Sequence, residues 1–75
     1  MTTPPKIIDA LFLEPPEPLV RALEAIDTLQ PGEELLFIVG REPFPLYNIL
    51  DQAGLLRETE VRKDGAYQVR IRAPG

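Results

Sequence analysis

Prolines follow both of the first two apolar runs of this sequence, and their positions constrain the fold more than any other feature. Residues 6–11 are followed by prolines within residues 15–18, and residues 35–39 by prolines within residues 43–45. Proline has no backbone N–H to donate in a strand ladder, but the first turn of a helix leaves that N–H without a partner anyway. Each proline segment therefore predicts that a strand ends and a helix begins, which gives two βα units.

The first predicted helix begins around residues 16–18 and is amphipathic. Glu17 and Arg21 are four residues apart, in the order that favours an ion pair on the exposed face. The proline-glycine pair at residues 31–32 predicts the end of this helix. Its apolar face has the i, i+3, i+4 spacing and contains Leu19, Ala22, Leu23, Ile26 and Leu29.

The second βα unit contains a longer apolar run and another amphipathic helix. Residues 35–39 are uninterruptedly apolar, which favours a strand buried on both faces. Gly54 follows the helix as a left-handed cap residue. Tyr47 lies one position off the apolar face, and we expect it, with Phe44, at the periphery of the core. The apolar face contains Leu46, Ile49, Leu50 and Ala53.

The last third of the chain is predicted to form a β-hairpin with a defined register. A three-residue turn at residues 63–65 pairs Val61 with Tyr67 and gives one largely apolar and one polar face. A two-residue turn at residues 64–65 instead mixes polar and apolar side chains on each face. We prefer the three-residue turn, because its final glycine fits the left-handed position of that hairpin type.

The element order is therefore β-α-β-α-β-β, which predicts a two-layer α/β (α+β) sandwich. Right-handed crossovers between parallel strands place both helices on one face of the sheet. The apolar strand around Phe37 is expected at the centre, and the charged strand at residues 57–62 at an edge. We expect a single domain over residues 6–73, preceded by a flexible tail at residues 1–5.

The absence of cysteine, histidine and serine narrows the possible functions. Without them the 75-residue chain has no disulfide, no zinc site of Cys or His ligands and no Ser-His or Cys-His nucleophile. Acid–base or glycosidic chemistry by paired carboxylates needs a cleft, and we expect so short a chain to have little room for one. A hard-cation site from Glu14, Glu17 and Glu42 has no spacing motif in its support. We therefore expect no catalytic activity, no cofactor and no metal.

Charge and hydropathy indicate neither a nucleic-acid binder nor a membrane protein. The formal net charge is −4, which opposes binding to nucleic acid through the overall field. No apolar run approaches the roughly 18 residues of a membrane-spanning helix. The N-terminal residues lack the charged and apolar pattern of a signal peptide, so we expect a cytoplasmic protein.

Both predicted helix starts and both preceding strand ends meet at one edge of the sheet, which we call the proline edge. Its candidate residues are Glu14, Pro15, Pro16, Glu17, Pro18, Arg41 and Glu42. Ligands of open α/β sheets usually bind at such an edge, so one interpretation is a docking surface or a small-anion site. The other is that the prolines only begin helices and the glutamates complement the helix dipoles. The two interpretations give Arg41 different roles. In the first, Arg41 binds a carboxylate or phosphate of a ligand, and in the second it pairs with one of these glutamates.

Gln68, Arg70 and Arg72 alternate on the last strand and are expected on the sheet face away from the helices. Residues 56–75 hold five basic and three acidic residues, a local basic strip in an acidic chain. Together with apolar residues of the central strand, they suggest a surface for a protein partner or for self-association. The alternative is a solvated strand face. RNA recognition needs aromatic rings beside the arginines, and Tyr67 is expected on the opposite face.

Residues 9–18, read as DALFLEPPEP, resemble the start of the TusA/SirA-like family of small sulfur carriers. That family has roughly the pattern Asp-x-x-Gly-Leu-x-Cys-Pro-x-Pro, with its cysteine at the N-terminus of the first helix. Asp9, Leu13, Pro16 and Pro18 match the pattern. Two positions depart from it: Phe12 replaces the glycine and Pro15 replaces the cysteine that carries the persulfide.

The resemblance therefore points to a cysteine-lacking branch of uncharacterised bacterial domains within this family. It implies a mixed four-stranded sheet of strand order 1-2-4-3 with two helices on one face. It also suggests a non-catalytic protein-interaction or regulatory domain, since the carrier atom is missing. Two alternatives stay open: a docking paralogue in a sulfur-relay pathway, and a small-anion or nucleic-acid binder using Arg41, Arg70 and Arg72.

Overall fold

A computed structural model describes residues 4–74 and confirms the predicted order of elements. The elements are β1 (Lys6–Asp9), α1 (Glu17–Asp27), β2 (Glu34–Val39), α2 (Phe44–Gln52), β3 (Leu56–Val61) and β4 (Tyr67–Arg72). Residues 1–3 of the predicted tail lie outside the described residues. None of the helices within residues 4–74 is long and apolar enough to span a membrane.

The four strands form one mixed sheet of order β1-β2-β4-β3. β1 and β2 are parallel, whereas β4 runs antiparallel to both β2 and β3. The apolar strand β2 is central and the charged strand β3 is an edge, as predicted. The strand order is the one that the TusA/SirA-like resemblance implies.

Prolines begin both helices, as the sequence predicts. Pro16 and Pro43 are the N-cap residues of α1 and α2, and Pro18 and Pro45 occupy the second helical position. The ring fixes φ near its helical value and the missing N–H removes no intrahelical bond at that point. The prolines are therefore part of the scaffold at one end of the domain.

Helix α1 ends four residues before the predicted proline-glycine stop. Thr28 is its C-cap, and the Thr28 hydroxyl donates to the carbonyl of Ala25 over 3.1 Å. Gly32, at φ 83°, instead begins the path into β2, where its N–H donates to the carbonyl of Ala73 over 2.9 Å. Gly32 therefore lies at the turn that leads into β2, and the left-handed backbone conformation of this turn favours glycine.

The hydrophobic core lies between the helices and one face of the sheet. β2 contributes to this core on alternate residues only, since Leu36 and Ile38 lie on the opposite face and are half-buried. The prediction that β2 is buried on both faces is therefore wrong, because both helices pack on the same side. Ala53 is exposed beyond the end of α2 and does not join the core. The largest fully buried side chains are Phe37, Leu35, Leu46, Leu50, Ile71 and Val69.

The hairpin has the predicted three-residue turn and register. Val61 pairs with Tyr67, and the N–H of Arg62 donates to the carbonyl of Ala66 over 2.7 Å to close the turn. Gly65 has a φ of 86°, the left-handed conformation expected at the end of this turn. The alternation of polar and apolar residues in two strands was enough to fix the pairing.

β1 is shorter than predicted and ends at Asp9. A carboxylate oxygen of Asp9 accepts the N–H of Leu11 over 3.1 Å, a side-chain turn that competes with a strand ladder. The N–H of Leu13 then donates to the carbonyl of Ala10 over 3.3 Å. This turn leaves the side chain of Phe12 92% exposed.

Candidate functional site

The proline edge contains a groove of about 570 Å³. It lies where the C-terminal ends of β1 and β2 meet the N-termini of α1 and α2. The expectation of little room for a cleft is therefore wrong. A short chain has room for the groove because several loop residues separate each strand from the helix that follows it. The two loops, residues 10–16 and 40–43, form the groove between them at the end of the sheet.

The groove has mostly apolar walls. Ala10, Phe37 and Leu46 are buried residues of the core at its base. Prolines from both helix starts form much of the remaining lining. The apolar lining residues are Ala10, Leu11, Leu13, Pro15, Pro16, Pro18, Leu19, Phe37, Val39, Pro43, Pro45 and Leu46. Such walls are stabilised more by burying an apolar group than by burying a polar one.

The predicted site residues are divided between two surfaces. Six of the seven proline-edge residues line the groove, namely Glu14, Pro15, Pro16, Pro18, Arg41 and Glu42. Glu17 does not line it and pairs with Arg21 over 3.7 Å, as the helical spacing predicts. Arg70 and Arg72 lie on the open face of the sheet, where the register places them beside Leu36 and Glu34.

Arg41 lies exposed at the groove and makes no ion pair within 4.0 Å with an acid of the described residues. Of the two interpretations of Arg41, the one in which it pairs with Glu14, Glu17 or Glu42 is therefore wrong. Glu17 is already engaged with Arg21, and Glu42 accepts a hydrogen bond from Tyr47 instead. The groove thus carries the guanidinium of Arg41, without an ion-pair partner among residues 4–74, and the two carboxylates of Glu14 and Glu42.

Glu42 is held at the groove by a chain of hydrogen bonds from the sheet. The Tyr47 hydroxyl lies 3.3 Å from Glu42 Oε2 and 2.7 Å from Thr59 Oγ1. A carboxylate only accepts, so the single phenolic proton of Tyr47 points to Glu42 and the Thr59 hydroxyl donates to Tyr47. Helix α2, the loop before it and strand β3 are connected in this way.

The ring of Tyr47 is enclosed by two further side chains. Arg57 stacks over it with the guanidinium carbon 4.1 Å from the ring centroid, and Phe44 meets it edge-on at 5.8 Å. Asp51 fixes Arg57 through two hydrogen bonds of 3.1 and 3.3 Å, which raise the pKa of that guanidinium further. Burial raises the pKa of Tyr47, partly offset by the Thr59 hydrogen bond. Tyr47 is therefore a neutral hydroxyl donor at ordinary pH.

The open face of the sheet is less basic than its strand β4 suggested. Arg70 lies 4.0 Å from Glu34, and Glu58 is opposite Arg70 in the register. Side chains of the same face come from Asp9, Glu34, Glu58 and Glu60 as well as from Arg70 and Arg72. The expected apolar residues are present on this face, but the prediction that the face is basic is wrong, since its acids outnumber its bases. Its apolar residues are Ile7, Leu36, Ile38 and Leu56.

No three acidic side chains come together to hold a metal ion within residues 4–74. Glu17 is turned away from the groove toward Arg21, so the three glutamates considered for a cation do not form one site. The helix N-terminus at the groove also has few free donors. The N–H of Glu17 bonds to the carbonyl of Glu14 over 2.9 Å, and Pro16 and Pro18 have none.

A family model described as an uncharacterized conserved protein, DUF2249, matches residues 7–73. The chain belongs to the DUF2249 family. A crystal structure of a SirA-like protein from Desulfitobacterium hafniense is similar, with a TM-score of 0.78 and 25% sequence identity. The similarity covers 92% of this chain and 97% of that chain. No curated protein matches the sequence. The absence of cysteine agrees with the cysteine-lacking branch that the sequence indicated.

Three residues of this DUF2249 domain's site were not found from the sequence. Tyr47 was expected at the core periphery, and its position off the apolar face of α2 was the one available signal. Thr59 is twelve residues away on another element, and no pattern connects it with Tyr47. Gly40 directly follows β2 and lines the groove, and a Cβ at this position would meet no heavy atom within 4 Å.

Proposed function

We propose that this domain is a non-catalytic protein-interaction module that binds an apolar segment of a partner protein in the groove of the proline edge. The observation that carries the proposal is the groove itself, with about 570 Å³ of space and mainly apolar walls. A monomer that leaves such a surface empty exposes apolar area to water, and a partner side chain removes it.

An exposed phenylalanine beside the groove supports the same interpretation. Phe12 is 92% exposed, and its neighbours Leu11 and Leu13 both line the groove. Exposed aromatic residues such as Phe are enriched in protein–protein interfaces. Phe12 thus adds exposed apolar surface next to two residues that line the groove.

A protein segment fits the groove better than a small anion does. Glu14 and Glu42 supply negative charge at the walls, and the N–H of Glu17 at the helix start is already bonded. An anion gains little from such a site. Nucleic acid has no suitable surface on the sheet either, because acidic residues surround Arg70 and Arg72.

The absence of catalysis is part of the proposal. The chain has no cysteine, histidine or serine, so it lacks the usual nucleophiles and the imidazole base. Pro15 occupies the position of the sulfur-carrying cysteine in the TusA/SirA-like pattern and cannot form a persulfide. Binding is the activity that the remaining chemistry supports.

The affinity of selected peptides for two matched variants tests whether the groove is the binding site. Peptides selected on the wild-type domain from a displayed random library are measured against Gly40→Leu, which adds a leucine side chain at a residue that lines the groove, and Gln52→Leu, which adds the same side chain to an exposed site of α2. We expect Gly40→Leu to weaken binding about tenfold, since it replaces roughly 1.5 kcal/mol of apolar contact. Gln52→Leu should leave the dissociation constant unchanged.

Charge reversal on the other face completes this experiment. The double variant Arg70→Glu, Arg72→Glu changes the open sheet face and leaves the groove intact. Peptides whose binding is lost in this variant and kept in Gly40→Leu contradict the groove proposal. Failure to select any peptide with bulky apolar residues contradicts it as well.

Docking in a sulfur-relay pathway is a second candidate function. It is supported by the position of Pro15, which lines the groove at the place of the carrier cysteine. A domain that presents the same edge competes with a cysteine-bearing carrier for its acceptor protein. An excess of wild-type domain should then slow sulfur transfer, and an excess of Gly40→Leu should not. Equal transfer rates with and without the wild-type domain contradict this version.

A further inference from the structure

We infer that the partner segment carries a lysine or arginine beside its apolar residue, and that Glu42 selects this cation while Tyr47 holds Glu42 in place. The inference rests on the proposed function, because it names the chemistry of the segment that the groove binds. Glu42 is the contact residue and Tyr47 a positioning residue. The evidence is the geometry at one wall of the groove.

Glu42 has one oxygen fixed and one oxygen free. Oε2 accepts the Tyr47 hydroxyl over 3.3 Å, whereas Oε1 accepts no hydrogen bond from the described residues. The side chain is half-buried and lines the groove. A carboxylate with one free oxygen accepts a hydrogen bond from an ammonium or guanidinium group of a ligand.

Tyr47 fixes the orientation of Glu42 because Tyr47 itself cannot move easily. The residue is only 7% exposed, its ring lies under the guanidinium of Arg57 at 4.1 Å, and its hydroxyl oxygen accepts the Thr59 hydroxyl at 2.7 Å. Arg57 is in turn fixed by its two hydrogen bonds to Asp51. A carboxylate that is already oriented loses less conformational entropy on binding a cation than a free side chain does.

The surrounding charge also favours a cationic ligand. Residues 1–55, which include every residue of the groove, contain three basic and nine acidic residues. Arg41 is the competing group, since its guanidinium at the same groove attracts a carboxylate. Arg41 is exposed and no side chain of the described part of the chain orients it, whereas Glu42 is half-buried and hydrogen-bonded. The geometry therefore assigns the selective contact to Glu42.

Three matched small probes test the charge preference without knowledge of the partner. The ¹⁵N-labelled domain is titrated with 3-phenylpropylamine, 3-phenylpropanol and 3-phenylpropionate, and the amide shifts of Leu13, Gly40 and Leu46 report on the groove. The three probes share the phenyl group and differ mainly in charge. We expect the ammonium probe to bind roughly two- to fivefold more tightly than the alcohol, the range of a partly exposed ion pair, and the carboxylate to bind most weakly.

Two variants and a control separate Glu42 from the overall field. Glu42→Gln should bind the ammonium and the alcohol equally. Tyr47→Phe keeps the ring and removes the hydroxyl, so it should reduce the ammonium preference while the affinity for the alcohol stays unchanged. Glu34→Gln changes the net charge by the same amount on the open sheet face, and it should keep the preference of the wild type.

The possible results separate this inference from the proposed function. If the alcohol shifts the groove amides and the ammonium binds no better, the inference is wrong and the groove proposal stands. Tightest binding by the carboxylate would assign selection to Arg41. If Glu34→Gln loses as much of the ammonium preference as Glu42→Gln does, the preference comes from the net charge of the domain and not from Glu42. If no probe shifts the groove amides at millimolar concentration, both the inference and the groove proposal fail.

Discussion

The phenolic oxygen of Tyr47 lies 2.7 Å from Oγ1 of Thr59, and this contact joins the second helix to the edge strand β3. β3 is paired with one neighbour only, on the side of β4. The Thr59 hydroxyl donates a hydrogen bond to the Tyr47 oxygen, and the Tyr47 hydroxyl donates a hydrogen bond to Glu42. One hydroxyl contact therefore stabilises the edge of the sheet and orients an acidic group at the groove.

Removal of the Tyr47 hydroxyl should lower the stability of the domain. Tyr47→Phe deletes the hydrogen bonds to Thr59 and Glu42 and leaves the ring stack with Arg57 in place. We expect the free energy of unfolding, measured by urea titration, to fall by about 0.5–1.5 kcal/mol. Tyr67 is a half-buried tyrosine on β4. The matched control Tyr67→Phe should lower the free energy of unfolding less. Equal losses in the two variants contradict the role given to the Tyr47 contacts.

The same tyrosine should make stability depend on alkaline pH. Burial raises the pKa of Tyr47 above its ordinary value of about 10, although the Thr59 hydrogen bond opposes the rise and Glu42 adds to it. The folded state then keeps a proton that the unfolded state loses. The stabilisation is complete below about pH 10 and disappears as the pH rises through the folded pKa. The free energy of unfolding should therefore fall more steeply above pH 10 in the wild type than in Tyr47→Phe. Parallel curves for the two proteins contradict this.

Two glycines should respond differently to alanine. Gly65 has a φ of 86° in the hairpin turn, a conformation that strains any residue with a Cβ. We expect Gly65→Ala to destabilise the domain by about 1 kcal/mol. Gly40 has no positive φ, and a Cβ there meets nothing within 4 Å. Gly40→Ala should therefore leave the melting temperature unchanged or slightly higher. A loss in Gly40→Ala as large as that in Gly65→Ala would also disqualify Gly40→Leu as a clean groove variant.

The register of the hairpin and the starts of both helices followed from the sequence because each depends on local chemistry. Proline has no N–H, and this sets the helix starts at Pro16 and Pro43. A single buried face demands period-two alternation, and this sets Val61 opposite Tyr67. Such rules act within a few residues or between adjacent strands, and a single sequence is enough to apply them.

The groove and the partners of its charged residues did not follow from the sequence, because they depend on distances between separate elements. The volume above Phe37 is set by how far apart the two proline loops lie, and no spacing in the sequence measures that. Arg41 is adjacent to Glu42 in sequence and still forms an ion pair with no acid of the described residues, since Glu42 accepts a hydrogen bond from Tyr47. The half-buried Leu36 and Ile38 follow from both helices packing on one face, which an apolar run alone does not show.

A single introduced thiol should report directly on occupancy of the groove. The chain has no cysteine, so Pro15→Cys carries one reactive group, at an exposed position of the groove wall. With a selected peptide at ten times its dissociation constant, reaction of this thiol with a maleimide should slow roughly tenfold, because only the free fraction reacts. Arg72→Cys lies on the open sheet face and should react at the same rate with and without peptide. Protection at residue 72 and none at residue 15 would move the binding surface from the groove to the sheet.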